Sequence, residues 1–83
     1  MNYKVMDNKL SLWIEDIEAG YIQFNKTQQG MEIVQTYVFP GFRQNRYAQN
    51  LVKYMVDNFD NEITKVSCSY YRIMSKDYKL SQI

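Results

Sequence analysis

Eighty-three residues with a formal net charge of +1 make one domain, residues 1–83, near the lower end of what a single core holds together without staples. An apolar share of 46%, with eight Tyr, four Phe and one Trp, excludes a disordered chain, and the balanced charge lends little support to a broad basic face for nucleic acid. Histidine is absent and Cys68 is the only cysteine, which removes Ser-His and Cys-His nucleophile pairs, zinc-site spacings and any internal disulfide.

Met1–Asn8 holds no long apolar run and no cleavage-site pattern, and no apolar stretch approaches the roughly 20 residues that cross a bilayer. A cytoplasmic protein with no membrane partner is therefore expected. Tyr3–Met6 is compatible with a short strand. Lys9–Asp16 alternates, with Leu10, Leu12 and Ile14 on one side and Ser11, Trp13 and Glu15 on the other, and this period of two predicts a strand. Gly20 breaks the pattern, and Tyr21–Asn25 resumes it. Lys26–Gly30 reads as a polar turn and Met31–Val38 as a further strand rich in β-branched residues. Strands in succession with short connections predict an antiparallel meander.

From Gln44 or Asn45 the period changes. Tyr47, Leu51, Met55 and Phe59 recur every four residues beside Ala48, Val52 and Val56, which predicts an amphipathic helix of about four turns. Asn45 is the expected N-cap, and polar Asn58–Glu62 ends the helix. Ile63–Ser69 reads as a strand. A whole helix separates it from Val38, so it can lie parallel to the strand ending there. Tyr70–Ser75 predicts a short helix and Lys79–Ile83 a loose tail. The expected class is α+β (mixed α/β): a meander, the main helix on one face of the sheet, a parallel strand and a short C-terminal helix.

The junction within Thr36–Ala48 carries the functional signal. A strand stops at Pro40-Gly41 and a helix begins within a few residues, leaving first-turn N–H groups without intrahelical partners. Those donors and the positive end of the helix dipole favour an anion such as a phosphate. Arg43 and Arg46 flank the same junction. A plain β-α corner with two solvated arginines is the alternative.

The order of residues adds to this. Arg43-Gln44-Asn45-Arg46-Tyr47-Ala48 resembles the acyl-CoA signature of the GNAT N-acetyltransferases, Arg/Gln-x-x-Gly-x-Gly/Ala. The wider register is similar to a small single-domain branch of that superfamily. Its strand His-Thr-x-Val matches Gln35-Thr36-Tyr37-Val38. Its Pro, Leu-Val and Cys-Ser-Tyr match Pro40, Leu51-Val52 and Cys68-Ser69-Tyr70, and a late Tyr matches Tyr78. The resemblance spans residues 31–78.

It implies a GNAT-like minimal fold and an acetyl-CoA-dependent N-acetyltransferase, with acetyl-CoA or coenzyme A as cosubstrate and an unknown amine as acceptor. It sets the pyrophosphate at Gln44–Ala48 and the pantetheine arm between Thr36–Val38 and Val66–Ser69, with the thioester near Cys68. The implied cofactor-binding residues are Thr36, Tyr37, Val38, Arg43, Gln44, Asn45, Arg46, Tyr47, Ala48, Cys68, Ser69 and Tyr70. Cys68 is the candidate catalytic residue, and no metal ligand is implied.

The chain departs from the family in three places. The branch writes Arg-Gly-x-Gly-Ile-Ala at this point, and Gln44 and Arg46 replace its glycines, which let backbone approach phosphate oxygens without a Cβ in the way. Arg46 either grips the phosphate or fills the slot. Gln35 replaces the branch's histidine, which leaves Glu15, Asp16, Glu18, Glu32, Tyr70, Tyr78 or water to act as base, or an amine that arrives already neutral. The first strand and two helices that cover the acceptor side in full-length members have no counterpart, an openness that also admits a homodimer. Cys68 reads as a small buried apolar residue, as a neighbour of the thioester or as a transient acyl acceptor. Two other functions stay open: a non-catalytic CoA-binding or protein-interaction module with a decayed signature, and a nucleic-acid-binding module using Arg43, Arg46, Lys53 and the tyrosines.

Overall fold

The segments that alternate with period two become strands in the computed structural model, which describes residues 1–82. β1 (Asn2–Val5), β2 (Lys9–Ile14), β3 (Ile17–Thr27) and β4 (Gly30–Val38) pair antiparallel in chain order. β5 (Ile63–Val66) joins β4 in parallel, giving a five-stranded mixed sheet of order β1-β2-β3-β4-β5. Parallel neighbours need a crossover, and α1 (Tyr47–Phe59) supplies it. α2 (Ser69–Ser81) follows β5, while short 3₁₀ turns at Pro40–Phe42 and Asp60–Glu62 precede and follow α1. The class is α+β.

The alternation also decides where the core lies. Leu10 and Leu12 of β2, Ile22 and Phe24 of β3, and Met31 and Ile33 of β4 meet Leu51, Val52 and Met55 of α1 and Tyr71 of α2. None of these is more than 3% exposed, and fully burying side chains of this size contributes roughly 1.5–3 kcal/mol each. Tyr3 of β1 stacks on Tyr54 of α1 with ring centroids 4.2 Å apart, which ties the edge strand to the helix. Both helices therefore cover one face. On the opposite face Ser11 Oγ donates to Glu18 Oε2 at 2.6 Å, and Lys9 Nζ lies 3.0 Å from the same oxygen.

Three boundaries differ from the sequence reading. Gly20 does not break the pattern; it lies inside β3 opposite Val38, where a Cβ would stand 2.6 Å from the Tyr37 carbonyl oxygen. Glycine marks a close backbone approach there. The turn is at Glu15-Asp16, with Glu15 at φ 55°. β5 stops at Val66 instead of Ser69, and Cys68 becomes the N-cap of α2. That helix runs to Ser81, so Lys79–Ser81 belong to it and not to a loose tail; Ile83 lies outside the described residues. Buried Tyr71 and Ser75 with half-buried Met74 and Tyr78 recur at helical spacing along its whole length. No described helix is long and apolar enough to cross a membrane.

Two side chains yield stability tests. The Tyr71 hydroxyl is buried without a partner, and burial, followed by the Asp60 carboxylate, pushes its phenol well up. An orphaned buried hydroxyl costs about 1–3 kcal/mol, so Tyr71→Phe should raise stability in urea unfolding by about 1 kcal/mol; a loss of that size would mean that the hydroxyl is bonded. For Glu18, burial pushes the carboxyl up, but the Ser11 hydroxyl and the Lys9 ammonium outweigh it and leave it below its ordinary 4.5. A carboxylate held low adds stability that is complete above its unfolded value and is lost as pH falls through the folded one. Glu18→Gln should thus flatten the fall in stability below pH 4.5, as read by unfolding at a series of pH values.

Candidate functional site

β4 and β5 start together and then part. Their ladder pairs Met31 with Ile63, Glu32 with Lys65 and Ile33 with Val66, and the Ser67 N–H donates to the Ile33 carbonyl at 2.8 Å. Beyond that point β4 continues to Val38, while the chain after Ser67 turns into α2. Residues 35–38 of β4 consequently pair with β3 alone among the described strands, and no strand covers their other edge. Inside the opening the Cys68 thiol faces the Thr36 hydroxyl, with Sγ and Oγ1 3.7 Å apart.

The helix that follows β4 opens in an unusual way. Gln44 and Arg46 have left-handed backbone, at φ 70° and 62°. Side chains with a Cβ adopt that region at a cost of about 1–2 kcal/mol per residue. Local bonds hold it: the Asn45 side-chain amide donates to the carbonyls of Phe42 and Arg43, each at 3.2 Å. Asn45 is therefore not the N-cap. Arg46 takes that position with no side-chain bond, and the first turn carries no acidic residue. The N–H groups of Tyr47, Ala48 and Gln49 are left without intrahelical partners, since the first helical bond runs from the Asn50 N–H to the Arg46 carbonyl at 3.0 Å. α2 starts similarly, with Cys68 as an N-cap that makes no side-chain cap bond. Two uncapped helix starts thus flank the free edge of β4, and each brings partial positive charge.

Two adjoining hollows occupy this corner. One, of about 330 Å³, is lined by Thr36, Tyr37, Val38, Arg43, Ala48 and Tyr70. The other, of about 190 Å³, shares Val38, Arg43, Ala48 and Tyr70 and adds Gln44, Arg46 and Tyr47. Most of the residues singled out in the sequence are thereby brought together. Asn45, Cys68 and Ser69 are not on either lining: Asn45 bonds backward, Cys68 sits behind Thr36, and Ser69 is exposed at the start of α2. Phe42 and Gln49 complete the smaller hollow and escape the sequence reading. Gln49 follows Arg46 by three residues, a helical spacing that would have revealed it. Phe42 gets there through the 3₁₀ turn, its ring 6.4 Å from that of Tyr47.

Charge at the site is one-sided. Arg43 Nε donates to the Val38 carbonyl at 3.0 Å, and its guanidinium carbon lies 5.5 Å from the Tyr37 ring centroid. The Arg46 side chain makes no hydrogen bond or ion pair among the described residues. Burial, then the Cys68 sulfur, pushes the Tyr70 phenol up from its ordinary range. No carboxylate lines either hollow. Glu18 is held by Ser11 and Lys9 on the other face, Glu32 accepts from Ser67 Oγ at 2.6 Å, and Glu15 and Asp16 form the β2–β3 turn. The Tyr78 hydroxyl donates to Asp57 at 2.8 Å, joining the two helices. No His/Cys/Asp/Glu group able to hold a metal occurs among the described residues. The arrangement offers N–H donors and guanidinium charge at one end, and unpaired strand backbone at the other.

The left-handed residues give this geometry a direct test. Gln44→Gly and Arg46→Gly should each stabilise the fold by about 1 kcal/mol in urea unfolding, because glycine enters that region without a Cβ penalty. Alanine at the same positions should bring no gain, and equal effects of glycine and alanine would contradict the assigned backbone.

No protein-family model matches the chain, and no curated protein matches it either.

Proposed function

We propose that the chain binds acetyl-CoA in the opening between β4 and β5 and transfers its acetyl group to an amine, in the manner of a minimal GNAT N-acetyltransferase. One observation carries this reading. Gln44 and Arg46, which stand where the signature has glycine, keep the left-handed backbone that glycine would favour. Nothing in the packing of the core asks for that strain, and strain held by local bonds at a cleft is a mark of function.

Each part of the site has a task under this reading. The N–H groups of Tyr47, Ala48 and Gln49 and the guanidinium groups of Arg43 and Arg46 take the pyrophosphate through charge-assisted bonds. The free edge of β4 pairs with the amides of the pantetheine arm as an added strand would. Acetyl-CoA supplies the activated thioester, and an N–H of that edge polarises its carbonyl. The incoming amine arrives neutral, forms the C–N bond as the C–S bond breaks, and gives up its proton to water. The Tyr70 phenol lines both hollows and would return a proton to the departing sulfur. Cys68 lies behind the lining with its thiol against Thr36, which suits a neighbour better than an acyl acceptor.

The absence of a carboxylate on the lining favours a second reading, a CoA-binding module without turnover. Amide chemical shifts followed during titration with acetyl-CoA and with desulfo-CoA test the first claim. Shifts are expected at Val38–Ala48 and Cys68–Tyr70, and none at millimolar ligand would end both readings. Arg43→Ala and Arg46→Ala should each weaken binding about tenfold, as the loss of a bond between charged groups does. Binding without acetyl transfer to any of a panel of amines would select the module.

A further inference from the structure

The helix-free face of the sheet carries more than the polar surface that an antiparallel sheet turns to water. Tyr21 of β3, Tyr37 of β4 and Phe39 just beyond it form a half-buried row on this face, and Trp13 of β2 stands half-buried on the same face. Ring centroids lie 5.7 Å apart for Tyr21 and Tyr37 and 5.4 Å apart for Tyr37 and Phe39. A cation stands over three of these rings: Lys4 at 4.4 Å from Trp13, Lys9 at 5.2 Å from Tyr21 and Arg43 at 5.5 Å from Tyr37. Glu18, the carboxylate in their midst, is neutralised by Lys9 and Ser11. Gln23 and Gln35 stand opposite each other on β3 and β4 beside these rings.

Aromatic faces with cations beside them suit a ligand that alternates flat rings with negative charge. An apolar helix would bury the Lys4 ammonium without a partner, at a cost of several kcal/mol. An acidic peptide would satisfy the cations and leave the rings unused. We propose that this face binds single-stranded nucleic acid, with bases stacked on Trp13, Tyr21 and Tyr37 and phosphates met by Lys4 and by the N–H donors of Arg43 that Val38 does not use. The row offers room for about two or three bases, as on other sheet platforms. The chain's net charge of only +1 keeps the binding modest and sensitive to salt. The two sites share Tyr37 and Arg43, but neither hollow is lined by Trp13, Tyr21 or Lys4, so variants at those positions read this face alone.

Trp13 is the chain's only tryptophan, so its fluorescence reads the surface directly. Titration of the whole chain with the hexamer of thymidylate at low salt should quench it. The logarithm of the association constant should fall with the logarithm of salt at a slope of about −1.4 to −2.1, the range for two or three phosphates of a single strand. Tyr21→Leu, which keeps apolar bulk, and Lys4→Glu, an exposed position, should each raise the dissociation constant about tenfold or more, in line with the loss of one stacked base or of a phosphate contact. Circular dichroism checks that both variants fold. No quenching at millimolar oligonucleotide overturns the proposal. So does unchanged affinity in both variants, or equal binding of duplex DNA or oligoglutamate, either of which would place the attraction in charge alone.

Discussion

Everything at the cleft depends on how early the chain leaves the sheet after β5. Tyr71 is 1% exposed and packs among the side chains of β2, β3, β4 and α1, so α2 must already be helical when it reaches that residue. A helix needs its N-terminal turn before its first deeply buried side chain, which puts the switch at Cys68. β5 is thereby held to four residues against the nine of β4. The edge of β4 beyond Ile33 stays unpaired as a result, and the start of α2 is brought beside the start of α1. Arg72 reinforces the switch, its guanidinium donating back to the Val66 carbonyl at 2.9 Å.

Glycine usage separates structural need from the strain at the cleft. The chain has three glycines. Gly20 lies where a Cβ would meet the backbone of β4, and Gly30 combines φ 143° with a Cβ position 2.5 Å from the Glu62 carbonyl oxygen. Both are required by crowding. Gln44 and Arg46 are left-handed with no such crowding, at a surface corner where several backbone N–H groups converge. The bonds from Asn45 to two carbonyls and from Arg43 to Val38 rebuild locally what two glycines would have allowed.

The strands and α1 were legible because alternation and four-residue repetition are properties of the sequence itself. The Arg43–Ala48 part of the cleft was legible for a related reason: its residues are contiguous, so their proximity needs no tertiary information. Cys68 and Ser69 were misplaced because a period of two, extended through Ser69, aims them as strand residues; their change to helix follows from the burial of Tyr71, which no local pattern discloses. Asn45 was misplaced because its short amide side chain suits a backward turn as well as a cap. The aromatic row on the open face was hidden by register. Bulges between Leu12 and Trp13 and between Gln23 and Phe24 shift the ladders, so which rings become neighbours cannot be counted from the turns alone.

Arg43 links the two surfaces of the sheet. Its Nε is committed to the Val38 carbonyl, which fixes the guanidinium at the rim where β4 ends. From there the same plane lines both hollows and covers the Tyr37 ring on the opposite face. A guanidinium has five N–H donors in a rigid fork, so with one spent on Val38 the remaining four share a single orientation. An anion that draws this fork toward the start of α1 necessarily changes how much of Tyr37 it covers. If an anion in the cleft changes that cover, reciprocity of binding free energies requires a ligand on Tyr37 to change the affinity of the cleft by the same factor. Arg43 is thus the residue shared by the cleft proposed for the coenzyme and the face proposed for nucleic acid.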